Sequence, residues 1–330
     1  MTIASPYHRA GLVRAARNSI RKGSKSFYVA SRLFDRVTRE RVWLLYAWCR
    51  ACDDIADEQD HGHARAGWEP GTRLDPEARL ATVRTLTELA LARQQTGSSA
   101  FDALGQLICE VPIQHAMIED VLAGFALDAQ DWRPRSENDM LRYCYHVAGA
   151  VGVLMAIVMG VPFDEDDARA SDTLDRACDL GIAFQLANIV RDVWEDDANG
   201  RCYLPVEWLV EADIPPGELT KPHYRDRLVP VVAQACALAR GYEASARVGA
   251  MRLRFRWRWA ILTAANIYGA IGCEVARLEA HAWDHRVTIS KSRKLVFLAQ
   301  AWWEACGRRE RAAQRPGLAR RALMQMARKA

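Results

Sequence analysis

A chain of 330 residues, half of them hydrophobic and 26% charged, holds enough apolar material for a large core and lies far from the composition of a disordered protein. Its 45 basic against 41 acidic residues leave a formal charge of +4, too balanced for the chain as a whole to be a nucleic-acid binder. Nine cysteines, an odd count, behind an N-terminus without the apolar stretch of a secretory signal point to reduced thiols in a cytoplasm and not to a disulfide framework.

Strand patterning is scarce. Helical periodicity predicts helices over Arg39 to Gln59, Pro76 to Gln95, Ala100 to Leu127, Asn138 to Met159, Leu174 to Asp197, Leu228 to Ala246 and Ala260 to Ala280, an all-α chain. Loops are expected at His61 to Asp75, Gly97 to Ser99, Asp131 to Ser136 and Ile214 to Tyr224, where Gly and Pro gather. The uncharged run Tyr143 to Phe163 approaches membrane-spanning length but carries Cys144, His146 and three glycines, so it reads as a buried central helix. Met251 to Ala260, MRLRFRWRWA, alternates arginine with apolar residues at a strand's period; a lone strand has no partner, and the segment reads as a loop leading into a helix. From Arg308 onward eight basic residues face one acid, which suits a solvated tail or contact with an anionic membrane surface.

Two segments carry chemistry. In YAWCRACDDIAD, the residues Tyr46, Arg50, Asp53 and Asp57 follow an i, i+4, i+7, i+11 spacing, one stripe of a helix. In FQLANIVRDVWEDDANGRCYLP, the residues Gln185, Asn188, Asp192 and Asp196 form a second such stripe, with Arg191 at its edge. Acids one turn apart on a solvated face commonly pair with Arg or Lys. Two such clusters embedded in apolar sequence fit a hard divalent cation better, and the stripes are expected to line facing walls that clamp diphosphate. Oxygen-only ligands argue against zinc or iron, and neither cluster has the His offset of a di-iron bundle. His61 and His63 read as solvated. The Cys49-x-x-Cys52 pair lies in a helical segment with no second pair, so it reads as structural.

These landmarks, with SKSF at Ser24 to Phe27 and YCYHVAG at Tyr143 to Gly149, make the chain resemble the squalene and phytoene synthase family, in the family's order and over Tyr7 to Gln300. The resemblance implies an isoprenoid synthase domain over residues 1–300 with a central cavity, followed by a basic tail over 301–330. It also implies a reaction: two geranylgeranyl diphosphates join head to head through prephytoene diphosphate and rearrange to phytoene. Carried over residue by residue, it implies that Asp53, Asp57, Asn188, Asp192 and Asp196 bind magnesium or manganese, and that Lys25, Arg50, Arg191 and Arg201 contact diphosphate. Ser24, Phe27, Tyr46, Tyr145, Gln185, Tyr203 and Tyr268 would line the site. No NADPH is expected, because no Rossmann fingerprint follows a strand and no C-terminal anchor like that of eukaryotic squalene synthases is seen. The expected partners are prenyl diphosphates, other carotenoid enzymes and the inner face of the cell membrane, touched peripherally from the cytoplasm. A thirty-carbon synthase acting on farnesyl diphosphate is the nearest rival, and a non-catalytic prenyl-diphosphate-binding subunit a rival of another class. Intact acidic clusters favour catalysis over the latter.

Overall fold

The computed structural model describes residues 6–56, 59–60, 63–64, 75–130, 132–164, 166–215, 217–307 and 313–329. Among them the regular structure is helical apart from one short antiparallel pair, β1 (Gln59–Asp60) with β2 (His63–Ala64). The chain divides into two compact units, Met1–Gln130 with Ile157–Gly160, and Asp131–Ala156 with Val161–Ala330.

The first unit contains α1 (Arg9–Gly23), α2 (Lys25–Ser31), α3 (Arg36–Ala56), α4 (Pro76–Leu91), α5 (Ser99–Glu110) and α6 (His115–Ala129). Local chemistry sets several of these ends. Asp75 accepts from the Glu77 and Ala78 amides ahead of Pro76, which needs no partner at a first helical position. The single helix expected over Ala100 to Leu127 is two helices: Pro112 holds Val111 in extended backbone, and α5 ends at Glu110. Ile20, Val42, Leu45, Trp48, Phe101 and Leu104 fill the interior. Trp48 donates its indole N–H to Thr87 Oγ1 at 3.3 Å.

The second unit contains α7 (Glu137–Cys144), a π-helical turn (Tyr145–Gly149), the main part of α8 (Ala150–Val158), α9 (Ala168–Ala198), α10 (Val206–Glu211), α11 (Arg225–Ala250), α12 (Phe255–Leu278), α13 (Lys291–Cys306) and α14 (Arg320–Lys329). Ser136 and Asp139 form a reciprocal capping box at the start of α7. The 31-residue α9 packs on α11, α12 and the π turn. Small residues permit that closeness: a Cβ on Gly181 would overlap the Ala148 carbonyl, and one on Gly152 the Ala177 carbonyl. Two stretches, Glu137–Val158 and Phe255–His281, are long and apolar enough to cross a membrane, yet at least half of the residues are buried in each apolar stretch. The arginine-alternating segment is a turn through Leu253 followed by α12, as its lack of a strand partner required.

The tail departs from the sequence reading. Arg315 and Arg320 are not solvated but form ion pairs with Asp175 and Asp179 of α9, with side-chain exposures of 18% and 7%. These two arginines face protein and not an anionic surface.

Candidate active site

In the first unit, the SKSF segment and the stripe on α3 come together. Ser24 caps α2, its Oγ accepting from the Phe27 amide, and makes Lys25 the first helical residue. The Phe27 ring lies 5.9 Å from that of Tyr46. Gly23 permits this approach, since a Cβ there would crowd the Tyr46 hydroxyl and the Arg50 stem. Arg50 donates from Nε to Asp54 Oδ1 at 2.9 Å and lies 3.7 Å from Asp53. Burial opposes the Arg50 charge, but the hydrogen bond to Asp54 and the charges of Asp53 and Asp54 outweigh it and raise its pKa. Asp53 is 45% exposed, so this carboxylate is reachable from solvent. Asp57 lies outside the described residues.

In the second unit, α9 carries its stripe one helical turn at a time. Asn188 donates to Gln185 Oε1 at 3.4 Å. Arg191 grips the Asp192 carboxylate with Nε at 2.7 Å, and Arg286 reaches the same carboxylate at 3.0 Å while lying 3.5 Å from Glu195. Burial disfavours the Arg191 cation, and Asp192 more than offsets this, so its pKa is raised. Arg286 is a site residue that sequence reasoning missed. Its segment is tied to α9 by Trp283, whose indole donates to the Val190 carbonyl at 3.2 Å. The end of α9 is closed by the Arg201 amide, which donates to the Asp196 carbonyl at 2.8 Å; Gly200 makes the turn with φ of 73°. Asp197 accepts from both the amide and the hydroxyl of Thr220, fixing the following loop.

Aromatic residues continue this region. Tyr268 stacks on Phe184 at 4.1 Å, beside a small hollow bordered by Ala187, Cys236 and Gly272. Burial pushes the Tyr268 hydroxyl up, with Arg191 pulling against it and Asp192 reinforcing it. Tyr203 stacks on Tyr143 at 4.7 Å, and Tyr143 on Trp132 at 5.8 Å. Tyr145 is buried in the π turn, its ring edge-on to His146. Such turns recur at functional sites because they re-aim side chains within a helix. The Cys49 and Cys52 thiols are pushed up by burial and by Asp53 nearby, which leaves them poor nucleophiles and supports their structural reading.

Among the described residues no three His, Cys, Asp or Glu side chains converge on one point that could hold an ion. The donors of each motif, taken by itself, nevertheless suit a hard divalent cation. Asp53, Asn188, Asp192 and Asp196 present oxygen, with no thiol or imidazole on either stripe. Asp192 would exchange an arginine partner for the ion.

The squalene/phytoene synthase family model matches residues 20–293. The chain is 42% identical over 290 residues to a phytoene synthase of Pseudescherichia vulneris, covering 88% of this chain and 91% of that protein. It is 40% identical over 301 residues to a 15-cis-phytoene synthase of Pantoea ananas, covering 91% and 94%. A solved dehydrosqualene synthase superposes with a TM-score of 0.75 at 26% identity, covering 89% of this chain and 96% of that one. A squalene synthase of Alicyclobacillus acidocaldarius shares the fold, with a TM-score of 0.69 at 21% identity, over 83% of this chain and 96% of that one. With matching helices, intact acidic stripes and relatives of this similarity, the chain belongs to the squalene/phytoene synthase family.

Proposed function

We propose that this chain is a 15-cis-phytoene synthase, a prenyltransferase of carotenoid biosynthesis that condenses two geranylgeranyl diphosphates head to head. The observation that carries this reading is its 39–43% identity, over most of its length, to proteins named phytoene synthase.

Asp53 and Asp57 would hold divalent ions at one motif, and Asn188, Asp192 and Asp196 would hold them at the other. Magnesium or manganese, when bound, neutralises the charge that develops on a departing diphosphate. Arg191 and Arg286 share that task directly, since both guanidiniums already grip a carboxylate with the charge-assisted geometry that phosphate oxygens accept. Arg50 does the same at the first motif, with Lys25 and Arg201 adding charge. Ionisation leaves an allylic cation on the substrate. Aromatic faces such as the Phe184–Tyr268 pair stabilise that cation and exclude the water that would quench it. The first condensation releases one diphosphate and one proton and gives the cyclopropyl prephytoene diphosphate; loss of its diphosphate, rearrangement of the cation and loss of a second proton deliver phytoene without a hydride donor.

The test is incubation of the purified chain and magnesium with labelled geranylgeranyl or farnesyl diphosphate, with and without NADPH, followed by chromatography of the hydrocarbons. A forty-carbon triene-core product formed equally without NADPH is expected. A thirty-carbon product, or dependence on NADPH, overturns the assignment.

A further inference from the structure

Helix α13 has an inner and an outer face. The inner face is bound to α12: Trp259 donates to the Leu298 carbonyl at 2.9 Å, Asn266 to that of Phe297 at 3.2 Å and Arg258 to that of Ala305 at 3.0 Å. Ala301 and Ala305 are buried there against Leu262. On the outer face, Leu295, Val296, Ala299, Trp302 and Trp303 follow an i, i+1, i+4, i+7, i+8 spacing, a single apolar stripe. Four of them are large and exposed: Leu295 by 67%, Val296 by 53%, Trp302 by 46% and Trp303 by 77%. Phe255, at the start of α12, adds a fifth exposed apolar side chain next to Trp259. Two tryptophans, a leucine and a valine in one row exceed the scattered apolar residues that a water-facing helix carries.

The charges around this stripe select what covers it. Lys291 and Arg293 are exposed at the start of α13, and Arg254 and Arg256 are exposed at the start of α12, which lies against the other end of α13. The one acid of α13, Glu304, is turned to Arg247 at 2.6 Å. The face is therefore apolar along its middle and cationic at both ends. A helix of this kind lies flat in a bilayer interface, with tryptophans at the headgroup level and basic side chains on anionic lipid.

We infer that the outer face of α13, with Phe255 and the arginines beside it, is a docking face for an anionic lipid bilayer. The face is built on α13 and the start of α12, with Trp302 and Trp303 at the beginning of the segment that the sequence reading assigned to the tail. It gives an enzyme with a hydrocarbon product a membrane to deliver it to, although the docking itself does not depend on which hydrocarbon is made.

The test is flotation of the full chain with vesicles of phosphatidylcholine containing phosphatidylglycerol, compared with phosphatidylcholine alone. The wild type is expected to float with the anionic vesicles and to be released as salt rises. The Leu295→Glu/Trp303→Glu variant is expected to lose at least about tenfold in bound fraction with an unchanged thermal melt, because both side chains are exposed. A second variant, Lys291→Glu/Arg256→Glu, keeps the apolar stripe and should lose the preference for anionic lipid. The inference is overturned if the wild type does not float, if the apolar variant floats as well as wild type, or if neutral vesicles bind equally. It is also overturned if the apolar variant instead converts a dimer to a monomer in sedimentation, which would make a second copy the occupant.

Discussion

Asp175 and Asp179 sit one turn apart in the first half of α9, and Asp192 and Asp196 repeat that spacing near its end. The first pair is saturated by protein. Arg315 donates to both Asp179 oxygens at 2.8 Å and to Asp175 at 2.9 Å, Arg320 reaches Asp175 at 2.6 Å, and the Ser245 hydroxyl donates to Asp179 at 2.6 Å. Asp179 is fully buried. Burial disfavours the Arg315 charge, and Asp179 with Asp175 raises its pKa against that cost. At the second pair, Asp192 is held by Arg191 and by the half-exposed Arg286, and the cations that neutralise it are also suited to phosphate. One helix thus uses the same acidic spacing to fix a chain end and, in the proposed function, to build a site. What separates them is whether the partner can be exchanged.

Exchanging single side chains tests that difference. Asp192→Asn should lower kcat by about a thousandfold or more, the cost typical of removing a preorganised electrostatic contact, while the melting temperature moves by a few degrees at most. Steady-state kinetics beside a thermal melt would show it. Near-wild-type turnover in magnesium would remove Asp192 from the site.

Arg315→Ala should do the reverse. It leaves the buried Asp179 with only Ser245, and breaking a buried pair from one side costs about 3–5 kcal/mol. Urea denaturation should show the loss as a lower midpoint, with kcat per folded molecule within about threefold of wild type. A fall in kcat as deep as that of Asp192→Asn, at unchanged stability, would erase the distinction between the two halves of α9.

Most of the helical framework was legible because amphipathic periodicity is a local property. The stripes on α3 and α9 could be drawn from spacing alone, and the structure keeps Tyr46, Arg50 and Asp53 on one helix and Gln185 to Asp196 on another. Pairing across the chain was not legible. Arg286 is 94 residues from the Asp192 it grips, and Arg315 is 136 from Asp179, so no window of sequence brings them together. The same blindness made a structural arginine look like part of a solvated tail. Other helices also escaped: the short α2 is set by one serine cap, and α13 has apolar residues on both faces, which blurs its period.

A third acid in the first half of α9 extends the comparison to pH. Asp172 accepts from Arg176 Nε at 2.8 Å and from Arg252 at 2.6 Å. Burial pushes this carboxyl up, but the hydrogen bonds from the two arginines prevail and hold it below the ordinary aspartate value. A carboxyl whose folded pKa is depressed adds stability that is fully present above its unfolded pKa, about 4, and is lost as pH falls through the folded value. Wild type should therefore exceed Asp172→Asn in melting temperature near neutral pH, and the two curves should converge in acid below about pH 4. The gap is expected to be smaller than that caused by Arg315→Ala, because Asp172 is about a third exposed and water screens its pairs. Parallel curves down to low pH would mean that the two arginines contribute nothing to folding through this carboxylate, leaving Asp175 and Asp179 as the acids that fasten the first half of α9.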